Sequence, residues 1–292
     1  MPFSRRRTLE RVEAAPTARR DSAWSALGPG ERTSLIAMAA IVLVAIIGPT
    51  LMPYSPIIPS GSQLLPPLSS GHVLGTDVLG MDMATRLVAG MQRSLLAAVL
   101  VTAVSAAIGT FIGVVAGFRG GWLDSALMRF TDLFLAFPAM IIAMAIAAAI
   151  GQSLGSAMIG IIVVWWPLYA RLVRGEVRRV VALPHVQAAR VSGVRGWRLL
   201  WRHVVPAVMP TVVVTASLDI GAVVMTLAAL SFIGLGTPAP APELGRMASD
   251  GMKYFLNAWW VAVLPSVTIG LVAFVFNYAG DALRVVLRRT GV

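Results

Sequence analysis

Chemistry needs ionisable or nucleophilic side chains gathered in one place, and this sequence offers few. It contains no cysteine, which removes disulfides, thiol nucleophiles and thiolate metal sites. His72, His185 and His203 stand far apart without metal-ligand spacing, so no metal site is expected. Asp219 and Asn277 differ in kind, because each lies deep in a long uncharged stretch. Asp219 is nine residues beyond Pro210, about 13 Å along a helix. An unpaired charge at membrane depth costs at least about 2.5–3.5 kcal/mol on insertion scales, so it must face a water path or a partner. Pore lining and an interhelical hydrogen bond are equally consistent with Asp219; for Asn277 the hydrogen bond is favoured. An intramembrane enzyme would need clustered His, Asp, Glu or Ser at that depth, and Asp219 alone is clearly ionisable there.

A second concentration of polar groups is Arg171–Val205, which carries eight arginines with helical texture. Glu176–Leu183 is followed by a break at Pro184, then His185–Ser192, a turn at Gly193, and Trp197–Val204. Glycine reaches the positive φ of a sharp turn at little cost. Arg198 and Arg202 share a face at i, i+4, with Leu199, Leu200 and Trp201 beside them. A short helix pair that is basic on one side and apolar on the other suits docking into a groove on a partner.

The elements that hold these groups are membrane helices. Hydrophobic residues make up 57% of the chain and charged ones 13%, about half the share in soluble domains. The net charge of +11 does not argue for nucleic acid, because the arginines sit between long uncharged runs and not on a polar domain. A crossing needs about 20 apolar residues. Ser34–Met52, residues 94–118, two spans between Asp132 and Arg171 split at Gly151–Gly155, Ala207–Leu235 and a run between Lys253 and Asp281 make six. Of the 24 basic residues, 20 fall on the tail, on 118–130, on 171–202 and at the C-terminus. Only Arg86, Arg93, Arg246 and Lys253 fall on the other side, so both termini are expected in the cytosol. The partition is a basic cytosolic tail over 1–33, a first helix over 34–52, an external loop over 53–93, a five-helix core over 94–286 with the cytosolic loop 171–205, and a cytosolic end over 287–292. A cleaved signal peptide does not suit the first span, since the polar stretch before it is long. Near anionic headgroups the basic tail would lie against lipid.

Gly109, Gly113 and Gly117 stack on one face of the second span, a pattern that lets two backbones approach closely. Packing within the chain is favoured over a dimer interface. Pro138 and Pro167 interrupt helix hydrogen bonding, which membrane helices tolerate where neighbours re-satisfy the backbone.

The run Gln187-Ala188-Ala189-Arg190-Val191-Ser192-Gly193, with Arg202-His203-Val204-Val205-Pro206 and Pro210, resembles the EAA loop of binding-protein-dependent ABC importer permeases. The resemblance implies that His185, Gln187, Ala188, Ala189, Arg190, Gly193, Arg198, Arg202 and Pro206 belong to a coupling helix seated in an ATPase cleft. Gln187 replaces the family's usual glutamate, so an ion pair there does not carry over. Leu74-Gly75-Thr76-Asp77-Val78-Leu79-Gly80-Met81-Asp82 with Thr85-Arg86-Leu87 and Gly90 is similar to a segment of the dipeptide/oligopeptide/nickel group. Gly120-Gly121-Trp122-Leu123-Asp124, with Met128-Arg129 and Asp132 to Pro138, is similar to another. Leu230-Ser231-Phe232-Ile233-Gly234-Leu235-Gly236, with Asn277, Gly280, Asp281 and Arg284, is similar to a third. Met81, Leu227 and Leu244 depart from that group's arginine, acidic residue and tryptophan.

This likeness, over residues 30–288, implies an all-α membrane protein of six transmembrane helices with the type I ABC importer permease fold, in the bacterial inner membrane. It implies a C-type permease whose partners are a B-type permease, two ATP-binding-cassette subunits, an extracytoplasmic substrate-binding protein and lipid, with no nucleic acid. No G-x-x-x-x-G-K-[ST] loop is present. This chain is therefore expected to bind no cofactor and do no catalysis, leaving ATP and Mg²⁺ to the partner subunits. The expected cargo is di- or oligopeptides, with nickel chelates or glutathione-like peptides as alternatives. An ion-coupled transporter acting alone would need carboxylate or histidine relays and internal repeats, which the sequence lacks.

Overall fold

The computed structural model of the chain describes residues 28–289. The basic tail expected over residues 1–33 lies outside them up to residue 27, as do residues 290–292. Along the described residues run α1 (Pro29–Leu51), α2 (Met83–Arg119), α3 (Gly121–Leu135), α4 (Ala139–Ile150), α5 (Leu154–Val181), α6 (Pro184–Val191), α7 (Gly196–Leu199), α8 (Val205–Phe232), α9 (Leu244–Met252) and α10 (Trp259–Arg289). A π turn, Leu200–Val204, fuses α7 to α8.

Among the described residues five helical stretches are long and apolar enough to cross a membrane: α1, α2, α5, Gly196–Phe232 and α10. The sixth crossing exists only as α3 and α4 taken together, bent by 81°. The third span, expected between Asp132 and Gly151, is therefore not one straight helix. Its last helix, α4, has 12 residues, about 18 Å against a hydrocarbon core near 30 Å. Pro138 sits at the break, where it lacks an N–H and pushes Phe137 away from helical geometry.

The second span also departs from expectation. It begins at Met83 and not at residue 94, so the end of the expected external loop is helical. The Asp82 carboxylate caps the helix by accepting from the Thr85 N–H at 2.8 Å. Arg86 does not end the span, because its charge is met by Asp77 at 3.1 Å and its guanidinium donates to the carbonyls of Pro56 and Pro240. Residues 52–82 fold over the external end as a cap. Thr76 accepts from the Leu65 N–H and donates to the Ser62 carbonyl, His72 Nδ1 lies 2.9 Å from Asp82, and Trp260 Nε1 donates to the Thr76 carbonyl. The amphipathic helix α9 lies beside it, capped by buried Glu243, whose carboxylate accepts from the Gly245 and Arg246 N–H groups.

At the centre, α2 runs parallel against α5. A Cβ on Gly109 would stand 2.4 Å from the Trp166 carbonyl oxygen, one on Gly113 2.6 Å from that of Ala170, and one on Gly117 2.9 Å from that of Arg174. The three glycines thus lie along an intramolecular seam where only hydrogen fits. Buried side chains gather in two clusters. One fills the external half around Met83, Leu95, Ile161, Leu227 and Trp260. The other fills the internal half around Tyr169, Val173, Val177, Leu199, Val204 and Val208.

Candidate functional site

Eight arginines in one segment raise the question of where their charge goes, and the geometry divides them into two sets. Arg171, Arg174, Arg178 and Arg179 line the inner end of α5 and are paired. Arg174 donates to both oxygens of Asp124, a carboxylate 3% exposed, and Arg178 donates to the same group at 2.6 Å. Arg171 meets Asp132, and Arg179 meets Glu176, which also accepts from Thr211 at 3.5 Å. These pairs tie α3 and α8 to α5. Arg190, Arg195, Arg198 and Arg202 lie on the elbow beyond α5, are exposed, and make no ion pair among the described residues.

The elbow is built to stay in place. Pro184 occupies the first turn of α6, where a missing N–H costs nothing, and the Leu183 carbonyl accepts from the Gln187 N–H. Gly193 ends the helix at φ +92°, with its N–H on the Arg190 carbonyl and the Val194 N–H on that of Ala189. This is the paired closure of a Schellman motif, which needs a left-handed residue between. Val186, Leu199, Leu200 and Val204 turn inward and are buried against Val177, Val180 and Val208. The opposite face carries His185, Gln187, Ala188, Arg190, Gly193 and Arg198, all exposed, with Ala189 half-buried behind them and Arg202 and Pro206 exposed further on. Val191 and Trp197 stand 89% and 72% exposed on it. Two exposed apolar side chains thus stand among four cations that make no ion pair among the described residues.

Gln187 has a specific task that its sequence context did not show. Its Nε2 donates to the Val181 carbonyl at 2.7 Å, satisfying one of the carbonyls left open where α5 ends. A carboxylate at this position cannot donate and would face the negative end of the α5 dipole.

The two polar residues of the spans are not joined in one site. Asn277 Nδ2 donates to the Ala273 carbonyl in its own helix and packs over Gly221 of α8. Asp219 is half-buried near the middle of α8 and faces Trp165 and Tyr169 of α5. Sequence reasoning missed these two aromatics, although their spacing of four places them on one helix face. It also missed Glu243, 1% exposed at the head of α9. Burial pushes the Glu243 carboxyl above the usual range, against the opposing pull of the Arg246 and Gly245 N–H groups and of Ser231 and Ser94. Among the described residues no three His, Cys, Asp or Glu gather closely enough to hold a metal.

Residues 109–289 match the binding-protein-dependent transport system inner membrane component family. The chain is 39% identical over 253 residues to the probable D,D-dipeptide transport system permease protein DdpC of Escherichia coli K12, covering 86% of this chain and 85% of the relative. It is 36% identical to the dipeptide transport system permease protein DppC of Alkalihalophilus pseudofirmus, over 86% of this chain and 82% of that one. With the glutathione transport system permease protein GsiD of Pectobacterium atrosepticum it shares 36% identity over 74% and 72% of the two chains. In fold it is similar to the crystal structure of an amino acid ABC transporter, with TM-score 0.55 at 13% identity over 70% of this chain and 94% of that one. The inward-facing MetNI methionine transporter gives TM-score 0.51 at 21% identity over 67% and 94%.

Proposed function

Because the chain belongs to the binding-protein-dependent transport system inner membrane components, we propose that it forms half of an import pathway for short peptides and takes its power stroke through the elbow at residues 184–202. The observation that carries this reading is the elbow itself. One side is locked into the internal core by Val186, Leu199 and Val204, while the other offers four unpaired arginines with Val191 and Trp197 to a partner. A rigid, basic, apolar-tipped knob is what an ATPase needs in order to push on a membrane bundle. The partners on this reading are a B-type permease completing the pathway, two ATP-binding-cassette subunits holding ATP and Mg²⁺, and an extracytoplasmic binding protein. The chain itself performs no catalysis and holds no cofactor.

Peptide cargo is supported by the names of relatives that transport dipeptides and D,D-dipeptides, and a glutathione permease at 36% identity favours a γ-linked peptide as the second reading. Mass spectrometry of the ligand retained by the cognate binding protein decides between them, and a nickel chelate there would displace both. For coupling, Gly193→Pro removes an N–H and forbids φ +92°, and Arg190→Glu reverses one of the free charges. Each is expected to lower transport and the stimulation of ATP hydrolysis by loaded binding protein, with membrane insertion intact. Undiminished stimulation in both variants would overturn the assigned contact.

A further inference from the structure

We propose that Asp219, with Trp165 and Tyr169, forms an intramembrane site for the protonated terminal amine of a peptide in transit, an inference that rests on the importer reading above. Asp219 lies 14 residues from the inner end of α8 and 13 from the outer end, so about 20 Å from each. Tyr169 lies at matching depth in α5, 15 residues beyond Leu154 and 12 before Val181. Its side chain is 1% exposed, yet its hydroxyl has no hydrogen bond of standard geometry, and neither does Trp165 Nε1. Both groups face the Asp219 carboxyl.

Both groups are donors that face the carboxyl, so what the trio lacks is a counter-charge, and a carboxylate without one at membrane depth costs at least about 2.5–3.5 kcal/mol until something supplies it. No cation of this chain does so. The basic residues of α5 are taken by Asp124, Asp132 and Glu176 nearer the cytosol, and no arginine or lysine among the described residues pairs with Asp219. The carboxyl is only half-buried, which leaves a face open at the surface of the bundle.

The chemistry selects the ligand. An anion is repelled, and a divalent cation of the calcium type needs six or more oxygen ligands that are absent here. A primary ammonium fits. It donates to the carboxylate, which the Tyr169 hydroxyl and Trp165 N–H face from α5. With an α-amino pKa near 8, that group is cationic at neutral pH on every short peptide with a free N-terminus. The site therefore recognises the one charge common to such peptides without reading their side chains.

The test uses the full transporter in proteoliposomes at pH 7, with binding protein loaded to saturation by trialanine or by N-acetyl-trialanine, so that capture outside the membrane drops out. The wild type is expected to turn over the free amine about tenfold faster, the equivalent of about 1.4 kcal/mol. In Asp219→Asn that ratio falls to about one. Tyr169→Phe keeps the ring and loses the hydroxyl, and it lowers the ratio to about threefold. Copurification with the ATPase subunits reports assembly, and Tyr169→Phe carries the test should Asp219→Asn fail to assemble. A wild-type ratio near one, a ratio unmoved in the variants, or an assembled Asp219→Asn complex dead to both peptides would overturn the site. A wild-type complex that takes up neither peptide overturns the importer reading itself.

Discussion

The seam between α2 and α5 makes a sharp prediction, because two glycines in the same pair of helices should answer alanine with opposite signs. A Cβ at Gly113 would lie 2.6 Å from the Ala170 carbonyl oxygen, 2.8 Å from Val173 Cβ and 3.0 Å from the Arg174 nitrogen. The nearest obstacle is backbone and lies about 0.8 Å inside ordinary contact, so the helices must part. Overpacking of this kind costs about 1–3 kcal/mol. The helix-propensity gain of about 1 kcal/mol for alanine over glycine offsets part of it, leaving a net loss of up to about 2 kcal/mol. Gly175 of α5 is exposed, with nothing within 4 Å of its Cβ, so Gly175→Ala keeps only the gain, about 0.5–1 kcal/mol. Unfolding in graded SDS, followed by tryptophan fluorescence, separates the two. A Gly109→Ala, Gly113→Ala double variant should lose less than the sum of its parts, since helices already parted at one contact yield more readily at the next. Stability of Gly113→Ala at or above wild type, or equal losses at 113 and 175, would refute the account of the seam.

Two further predictions concern the ends of the bundle. Gln187→Glu loses the donor to the Val181 carbonyl and sets a negative charge against the end of α5, a local loss of about 1–2 kcal/mol; trypsin should cut at Arg190 and Arg195 about tenfold faster, and an unchanged cleavage rate would remove the capping role. Glu243 has its pKa raised by burial, so its contribution to stability is complete below the ordinary glutamate pKa of about 4.3 and is lost as pH rises through the higher folded value. The melting temperature of the wild type should therefore decline over that window more steeply than that of Glu243→Gln, whose amide oxygen still accepts from one of the Gly245 and Arg246 N–H groups; parallel profiles would sink the assignment.

What could be read from the sequence depended on whether a signal was local. Uncharged runs bounded by arginine mark five continuous crossings, because the cost of burying charge in lipid acts on each residue singly. The same rule misplaced the start of α2, since Arg93, where the uncharged run begins, lies exposed on the helix, and Arg86 before it is neutralised by Asp77 and by carbonyls from Pro56 and Pro240, one of them 154 residues away. Pro138 announces an interruption but not an angle of 81°, nor the pairing of Asp124 and Asp132 with the later helix α5. Helix α9 stayed hidden because nine residues with Arg246 and Asp250 on one face read as loop. The elbow was legible through Pro184 and Gly193, each of which forces its own backbone. The task of Gln187 was not, because its acceptor belongs to the preceding helix. The neighbours of Asp219 come from a helix some fifty residues earlier, and only packing brings them together.

The glycine seam has a mechanical consequence. Because the backbone of α5 and the Cβ atoms of Tyr169, Val173 and Val177 seat directly against the three glycines, α2 and α5 are keyed together and are expected to move as one rod. Helix α2 has 37 residues, about 55 Å, reaching from the Asp82 cap to Arg119 beside the elbow that continues α5. A tilt of about 5° around its midpoint displaces each tip by roughly 2 Å. The far tip carries Arg86, which grips the loops at Pro56 and Pro240 together. On the proposed coupling, a nudge at the inner tip arrives at the outer one as a tug on two loops at once, with this double helix as the lever.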